Sequence, residues 1–145
     1  MSSPLVRFPR MEKIVVSSCL LGVKCRWHGK TSSSPAARRL IESLGEVEVL
    51  KVCPEMLGGL PCPRPPVKRR KGRIFETCED KARRSEVTGP ERTAEFRAGA
   101  EKVLAICREN GVKKAVFCSF SPSCDRNGVC GKLLAENGVE VLNTF

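Results

Sequence analysis

Cys53-Pro54-Glu55 sets a thiol and a carboxylate two residues apart at the exit of a β-prone run, Val47-Glu48-Val49-Leu50-Lys51-Val52. A thiolate is a soft metal ligand and a carboxylate can move protons, so the pair suits metal-assisted acid–base chemistry. Pro54 ends any ladder there, and Gly58-Gly59 lets the backbone turn sharply. Two other β-prone runs reach cysteine in the same way. One is Ile14-Val15-Val16-Ser17-Ser18-Cys19; the other runs from Ala115 through Cys118 and Ser121-Pro122-Ser123 to Cys124. In a parallel α/β sheet, ligands collect beyond the carboxyl ends of the strands. Cys19, Cys53 and Cys124 are therefore expected to converge in one crevice.

Nine cysteines in 145 residues is a high count, and an odd one, which fits a disulfide framework poorly. Structural zinc sites use close pairs such as C-x₂-C, and the same pair marks thioredoxin-type redox sites. Neither is present. The nearest spacings, Cys19 to Cys25, Cys118 to Cys124 and Cys124 to Cys130, each leave five residues between. Ferredoxin-type runs are missing too. What these spacings leave is a site built from single cysteines on separate strand ends. A buried free cysteine also serves as a small core residue, and Cys107 and Cys118 are read that way. The single His28, on a polar loop, is read as solvated.

The elements that must position these residues follow in order. Residues 1–12 read as a loose, positively charged leader, and 13–145 as one α/β domain. Strand one spans Lys13 to Ser18, a nearly continuous apolar run of the kind buried on both faces. Ser34-Pro35 opens a helix, serine as N-cap and proline in the first turn, with Ala36, Ala37, Leu40, Ile41 and Leu44 at helical spacing. Strand two, Val47 to Val52, completes a βαβ unit with a right-handed crossover. Pro61 to Pro66 must be an extended loop, and Lys68 to Arg73 the turn of a hairpin leading into Ile74-Phe75-Glu76. Pro90 opens a second helix, with Phe96, Ala100, Val103, Leu104 and Cys107 inward and Asn110-Gly111 as its end. A third strand spans Lys113 to Ser119. A short helix with Leu133 and Leu134 inward and a last strand, Val139 to Leu142, follow. This order predicts a small three-layer, Rossmann-like α/β domain with a mainly parallel sheet.

The net charge of +10 points to an anionic partner, nucleic acid or nucleotide first, or else to a solvated surface suited to a hot or salty cytoplasm. Six of the ten residues from Arg64 to Arg73 are lysine or arginine, just beyond Glu55. No secretion signal and no membrane-spanning stretch is read from the sequence, so the expectation is a cytoplasmic chain with reduced thiols and no membrane partner.

Three ordered stretches together resemble the thiouracil desulfidase family. They are Ser18-Cys19-Leu20-Leu21-Gly22 with Cys25-Arg26 and Gly29; Cys53-Pro54-Glu55 with Gly58-Gly59-Leu60 and Pro63-Arg64-Pro65-Pro66; and Ser121-Pro122-Ser123-Cys124. Val87-Thr88 and Gly99-Ala100 are similar as well. The chain departs from the family pattern at Asp125, where glycine is usual, and at Trp27-His28, where Tyr-Asp is usual. A longer insert after the third motif is also missing. The resemblance implies a 4Fe–4S cluster held by Cys19, Cys53 and Cys124, with one iron open to the sulfur of a thiolated nucleobase or nucleotide. It implies Glu55 as the acid/base group and Ser121 as its polar partner, with Ser123 and Arg26 near the substrate. Read without the resemblance, Glu55 is a loop carboxylate paired with an arginine and Ser121 a turn serine. Three functions follow as expectations: desulfidation of a thiouracil-like base, nucleoside or tRNA thiouridine, with tRNA reached through residues 64–73; sulfur carriage in tRNA thiolation or sulfide trafficking; or metal- or redox-sensing on nucleic acid.

Overall fold

The computed structural model describes residues 11–144. Most of the leader expected over 1–12 lies outside the described residues, and the first strand already begins at Glu12. Strand β1 (Glu12–Ser17), helix α1 (Pro35–Ser43) and strand β2 (Val47–Val52) form the expected βαβ unit. A single helical turn, α2 (Pro54–Leu57), follows, and then a hairpin of β3 (Val67–Arg70) and β4 (Arg73–Glu76). Helix α3 (Thr93–Asn110), β5 (Lys114–Phe117), α4 (Val129–Glu136) and β6 (Glu140–Asn143) complete the chain.

The main sheet has the order β2-β1-β5-β6 and every pairing in it is parallel. Central strands of such a sheet are covered on both faces, which is why β1 reads as an unbroken apolar run: Ile14, Val15 and Val16 are fully buried. The antiparallel hairpin stands apart as a second small sheet. Helices α3 and α4 pack against each other, with Val103 and Leu134 in the main core, while Phe96 packs with Leu60 and Ile74 of β4 in a second, smaller cluster. The right-handed crossover rule sends α1 to the opposite face, which makes three layers.

Local chemistry sets the helix ends. Ser34 Oγ accepts the Ala37 N–H at 3.1 Å, as an N-cap serine should, and Gly111 ends α3 at φ +65°. Helix α3 starts at Thr93, three residues later than Pro90. Residues 90–92 instead extend the hairpin: Glu76 N–H donates to Pro90 O and Arg92 N–H to Ile74 O. Strand β5 stops at Phe117, so Cys118 lies just past the strand rather than within it.

Candidate active site

Three chain segments leave the carboxyl ends of β1, β2 and β5 and line one cavity of about 210 Å³. This is smaller than the roughly 300–1,000 Å³ of a drug-sized pocket and suits a compact ligand set. Cys19 sits in the 3₁₀ turn after β1, Cys53 caps α2, and Cys124 follows the Ser121-Pro122-Ser123 turn beyond β5. Glu55, Ser121, Ser123 and Arg26 line the same space. The seven residues singled out from sequence thus line one cavity. The structure adds Cys25, Cys118, Arg64, Trp27 and Arg84 to the lining.

Glycine sets the position of the Cys53-Pro54-Glu55 segment. A Cβ on Gly99 of α3 would lie 1.7 Å from Pro54 O, and one on Gly58 would lie 1.9 Å from Glu95 O. Only hydrogen at both positions lets α2 seat directly on α3. The third segment is held in the same manner. A Cβ on Gly131 of α4 would meet Asp125 O at 2.0 Å, while the Cys130 and Gly131 N–H groups donate to Ser123 O. Asn143, at the end of β6, donates to Phe117 O at 3.2 Å and ties this segment back to the sheet.

Glu55 is the charged centre of the cavity wall. Arg64 Nε donates to its Oε1 at 3.0 Å, and Ser123 Oγ donates to its Oε2 at 2.9 Å. Ser121 Oγ lies 3.2 Å from Ser123 Oγ. The one proton of Ser123 goes to the carboxylate, so Ser121 must donate to Ser123. Ser121 Oγ also accepts the Cys124 N–H at 3.1 Å. The direct hydroxyl partner of Glu55 is therefore Ser123 and not Ser121, because Ser121 is turned inward to close its own loop around the cysteine. Arg64 likewise leaves the basic surface expected over 64–73: its guanidinium is buried against Glu55 and Pro61 O.

The thiols are unequal. Contact with the Cys25 thiol, and then the backbone N–H of Met56, hold Cys53 below its ordinary value despite burial. The Cys118 contact lowers Cys19, but the Cys25 contact and burial outweigh it and raise that thiol. For Cys25, the Cys19 contact lowers, while the Cys53 contact and burial push it up to about 11. Burial pushes Cys124 up to about 12. Cys118 touches Cys19 and is raised by that contact and by burial, so it belongs to the cavity wall as well as to the core. Cys107 keeps the core role expected of it, on the buried face of α3, with burial pushing it up to about 11.

Nine free thiols remain among the described residues, and five of them border this cavity. Among the described residues, no group of three or more His, Cys, Asp or Glu is arranged to hold a single metal ion. A polynuclear iron–sulfur centre asks for something different, since its thiolates are shared out over separate irons. The all-sulfur donor set fits such a group. Sequence reasoning missed Cys25 and Arg64 as wall residues, although both stand inside quoted motifs.

Parallel strands that deliver thiols and an ion-paired carboxylate to one cavity define an α/β protein with a site suited to iron–sulfur chemistry. The chain belongs to the 2-thiouracil desulfurase family, whose profile matches residues 14–144. It is similar to YbbK of Bacillus subtilis (strain 168), an uncharacterized protein, with 33% identity over 131 residues, 87% of this chain and 85% of that one. Among solved structures it is similar to the 4Fe–4S-dependent thiouracil desulfidase TudS, with a TM-score of 0.73 and 32% identity over 91% of this chain and 90% of that one. Among the described residues no helix is long and apolar enough to cross a membrane.

Proposed function

We propose that the protein is an iron–sulfur-dependent desulfidase, which replaces the sulfur of a thiolated pyrimidine (thiouracil-like base, nucleoside or nucleotide) with oxygen. The observation that carries this reading is the meeting of three strand-end cysteines with one ion-paired carboxylate in a single cavity. Family membership and the likeness to TudS support it. Cys19, Cys53 and Cys124 are the residues that would hold a 4Fe–4S cluster. With three protein ligands such a cluster supplies, when bound, a Lewis-acidic iron with affinity for sulfur.

The remaining chemistry belongs to the chain. Arg64 fixes Oε1 of Glu55, while Ser123 fixes Oε2. Each carboxylate oxygen accepts more than one hydrogen bond, so a water in the cavity can still give its proton to Glu55. Addition of that water to the thiocarbonyl carbon and loss of sulfur as sulfide balance as C=S plus H₂O giving C=O plus H₂S. No electrons enter or leave. Arg26 lines the cavity, and in this reading its guanidinium stabilises the anionic character that develops on the substrate.

The exposed cations of the hairpin, Arg69, Arg70, Lys71 and Arg73, serve a phosphorylated form of the substrate, up to tRNA. The test is anaerobic reconstitution followed by incubation with 2-thiouracil and no reductant. Uracil and sulfide should appear in equal amounts. Uracil without free sulfide would mean that sulfur stays on the protein, as in a carrier; neither product would overturn the reading.

A further inference from the structure

Between Glu55 and α3, Arg64 pairs with Glu55, Arg73 with Glu91, Arg83 with Glu86 and Arg92 with Glu76. Arg84 stands apart from them. Among the described residues no carboxylate lies within ion-pair distance of it. Its Nε is buried and has no hydrogen-bond partner there. A buried N–H of this kind carries the cost of lost hydration unless some group accepts from it. Arg84 also lines the cavity that holds the thiols and Glu55. The unmet donor therefore belongs to the wall of the candidate active site.

The chain holds Arg84 there by contacts from both sides. Thr77, 3% exposed, donates from Oγ1 to Glu86 O at 2.7 Å, with Arg84 O 3.3 Å from the same hydroxyl. The Thr77 N–H donates to Pro66 O and the Thr88 N–H to Glu76 O, so both ends of the loop 77–88 are tied down. From this loop the Arg84 guanidinium reaches over the Trp27 ring, 5.5 Å from its centre, as a cation–π pair. Trp27 O in turn accepts the Arg64 N–H at 2.7 Å, and Arg64 is the partner of Glu55. Guanidinium, indole and carboxylate are thus linked along one wall. A guanidinium carries its donors in a fixed planar fork and has no acceptor. What it can take from a ligand in the cavity is an acceptor atom.

We infer that Arg84 is a substrate-binding residue that donates a hydrogen bond to the exocyclic oxygen of the thiopyrimidine and so selects oxo over amino rings. The inference rests on the desulfidase reading for the identity of the ring. In 2-thiouracil the carbon across N3 from the thiocarbonyl carries an oxygen, which accepts. In 2-thiocytosine the same carbon carries an amino group, whose N–H meets a donor that cannot accept it. A site built to bond one polar group discriminates strongly against a ring that lacks it.

The experiment measures sulfide release from 2-thiouracil and 2-thiocytosine by the anaerobic holoprotein and its Arg84→Met and Arg84→Lys variants. Equilibrium dialysis of uracil, which is not turned over, runs alongside. Methionine keeps an apolar stem beside Trp27 and removes every donor, while lysine keeps the charge without the fork. The parent should favour 2-thiouracil in kcat/KM. Arg84→Met should lose roughly 10–100-fold on that substrate, the worth of a hydrogen bond from a charged donor. The same variant should leave 2-thiocytosine nearly unchanged, with parental iron content. Uracil affinity should fall in parallel, and Arg84→Lys should recover part of both losses. Equal losses on the two substrates would overturn the inference, as would unchanged uracil affinity in Arg84→Met. Uracil binding that follows this order without sulfide release from either base would overturn only the desulfidase reading.

Discussion

Arg64 Nε donates to Glu55 Oε1 at 3.0 Å, with the two side chains only 5% and 11% exposed. Removing one partner from such a buried pair leaves an uncompensated charge. Arg64→Met is therefore expected to destabilise the fold by roughly 3–5 kcal/mol, read from urea unfolding. Glu55→Gln also leaves the Arg64 guanidinium without its counter-charge, but the amide oxygen can still accept its hydrogen bond, so the cost should be smaller than for Arg64→Met. It should nevertheless keep iron and lose turnover, since an amide cannot take a proton at neutral pH. The double variant should recover part of the stability lost by Arg64→Met. An Arg64→Met protein as stable as the parent would show that the pair is not the buried anchor seen here.

Iron retention separates the cysteines. Alanine at Cys19, Cys53 or Cys124 should abolish stable loading after anaerobic reconstitution, while Cys107→Ala and Cys118→Ala should load as the parent does. Loading should also be favoured by rising pH and should release protons. Ligands bind as thiolates, and Cys19 and Cys124 hold their protons more tightly than ordinary thiols, Cys124 up to about 12. Iron analysis and an absorption spectrum at each pH check both points. A Cys53→Ala protein that still holds a full complement of iron would remove Cys53 from the ligand set.

Much of this arrangement is legible in the chain, for a physical reason. Ile14-Val15-Val16 and Ala115-Val116-Phe117 are apolar on both sides of the strand, which only a sheet covered on both faces rewards. In such a sheet the ends of the strands must meet. Cys19, Cys53 and Cys124 were placed by that argument, and Glu55 by its adjacency to Cys53. Contacts between segments distant in sequence were harder to read. Arg64 looks like one more member of a basic run, and nothing local shows that its side chain turns back across Pro61 to reach Glu55. Ser121 and Ser123 differ only in which way each hydroxyl points, a property of the turn rather than of residue type. Pro90 resembles a helix start, yet its carbonyl is claimed by the hairpin through the Glu76 N–H. Asn143 and Gly131 fix the Cys124 segment from the far end of the chain, and sequence spacing alone carries no mark of either contact.

Gly99 offers a test of how the second motif is seated. A methyl group there would meet Pro54 O at 1.7 Å, and that atom is backbone, so no rotamer change relieves the clash. Gly99→Ala should cost at least the roughly 1–3 kcal/mol of an overpacked core site. It should also lower iron retention, because Cys53 and Glu55 flank the displaced carbonyl. Glu101→Ala, on the exposed side of the same helix, should change neither. Thermal melts and iron counts on the three proteins decide it. A Gly99→Ala variant with parental iron would mean that the site tolerates the shift.

The charge on the hairpin makes a prediction about substrate size. Lys68, Arg69, Arg70 and Lys71 surround the turn between β3 and β4, where Lys71 has φ +51° and Gly72 φ +77°. Arg69 and Arg70 donate to the Asn127 and Ser85 carbonyls and so stand in fixed positions beside the loops that flank the cavity. A phosphorylated substrate that enters the cavity should contact these charges, whereas a free base has no phosphate to offer them. Each phosphate contact releases counterions and should contribute about 0.7–0.9 to the slope of log affinity against log salt. The measurement is apparent affinity for 2-thiouracil and for thiolated tRNA across a salt series. The parent is compared with a variant carrying glutamine at all four positions, which keeps hydrogen-bond donors but removes charge. Affinity of the parent for tRNA should fall steeply with salt, and the variant should bind tRNA more weakly with a shallower slope. Turnover of 2-thiouracil should be nearly the same in both proteins and nearly insensitive to salt. Equal salt insensitivity for both substrates would leave the +10 charge as a matter of solubility and restrict the cavity to small bases.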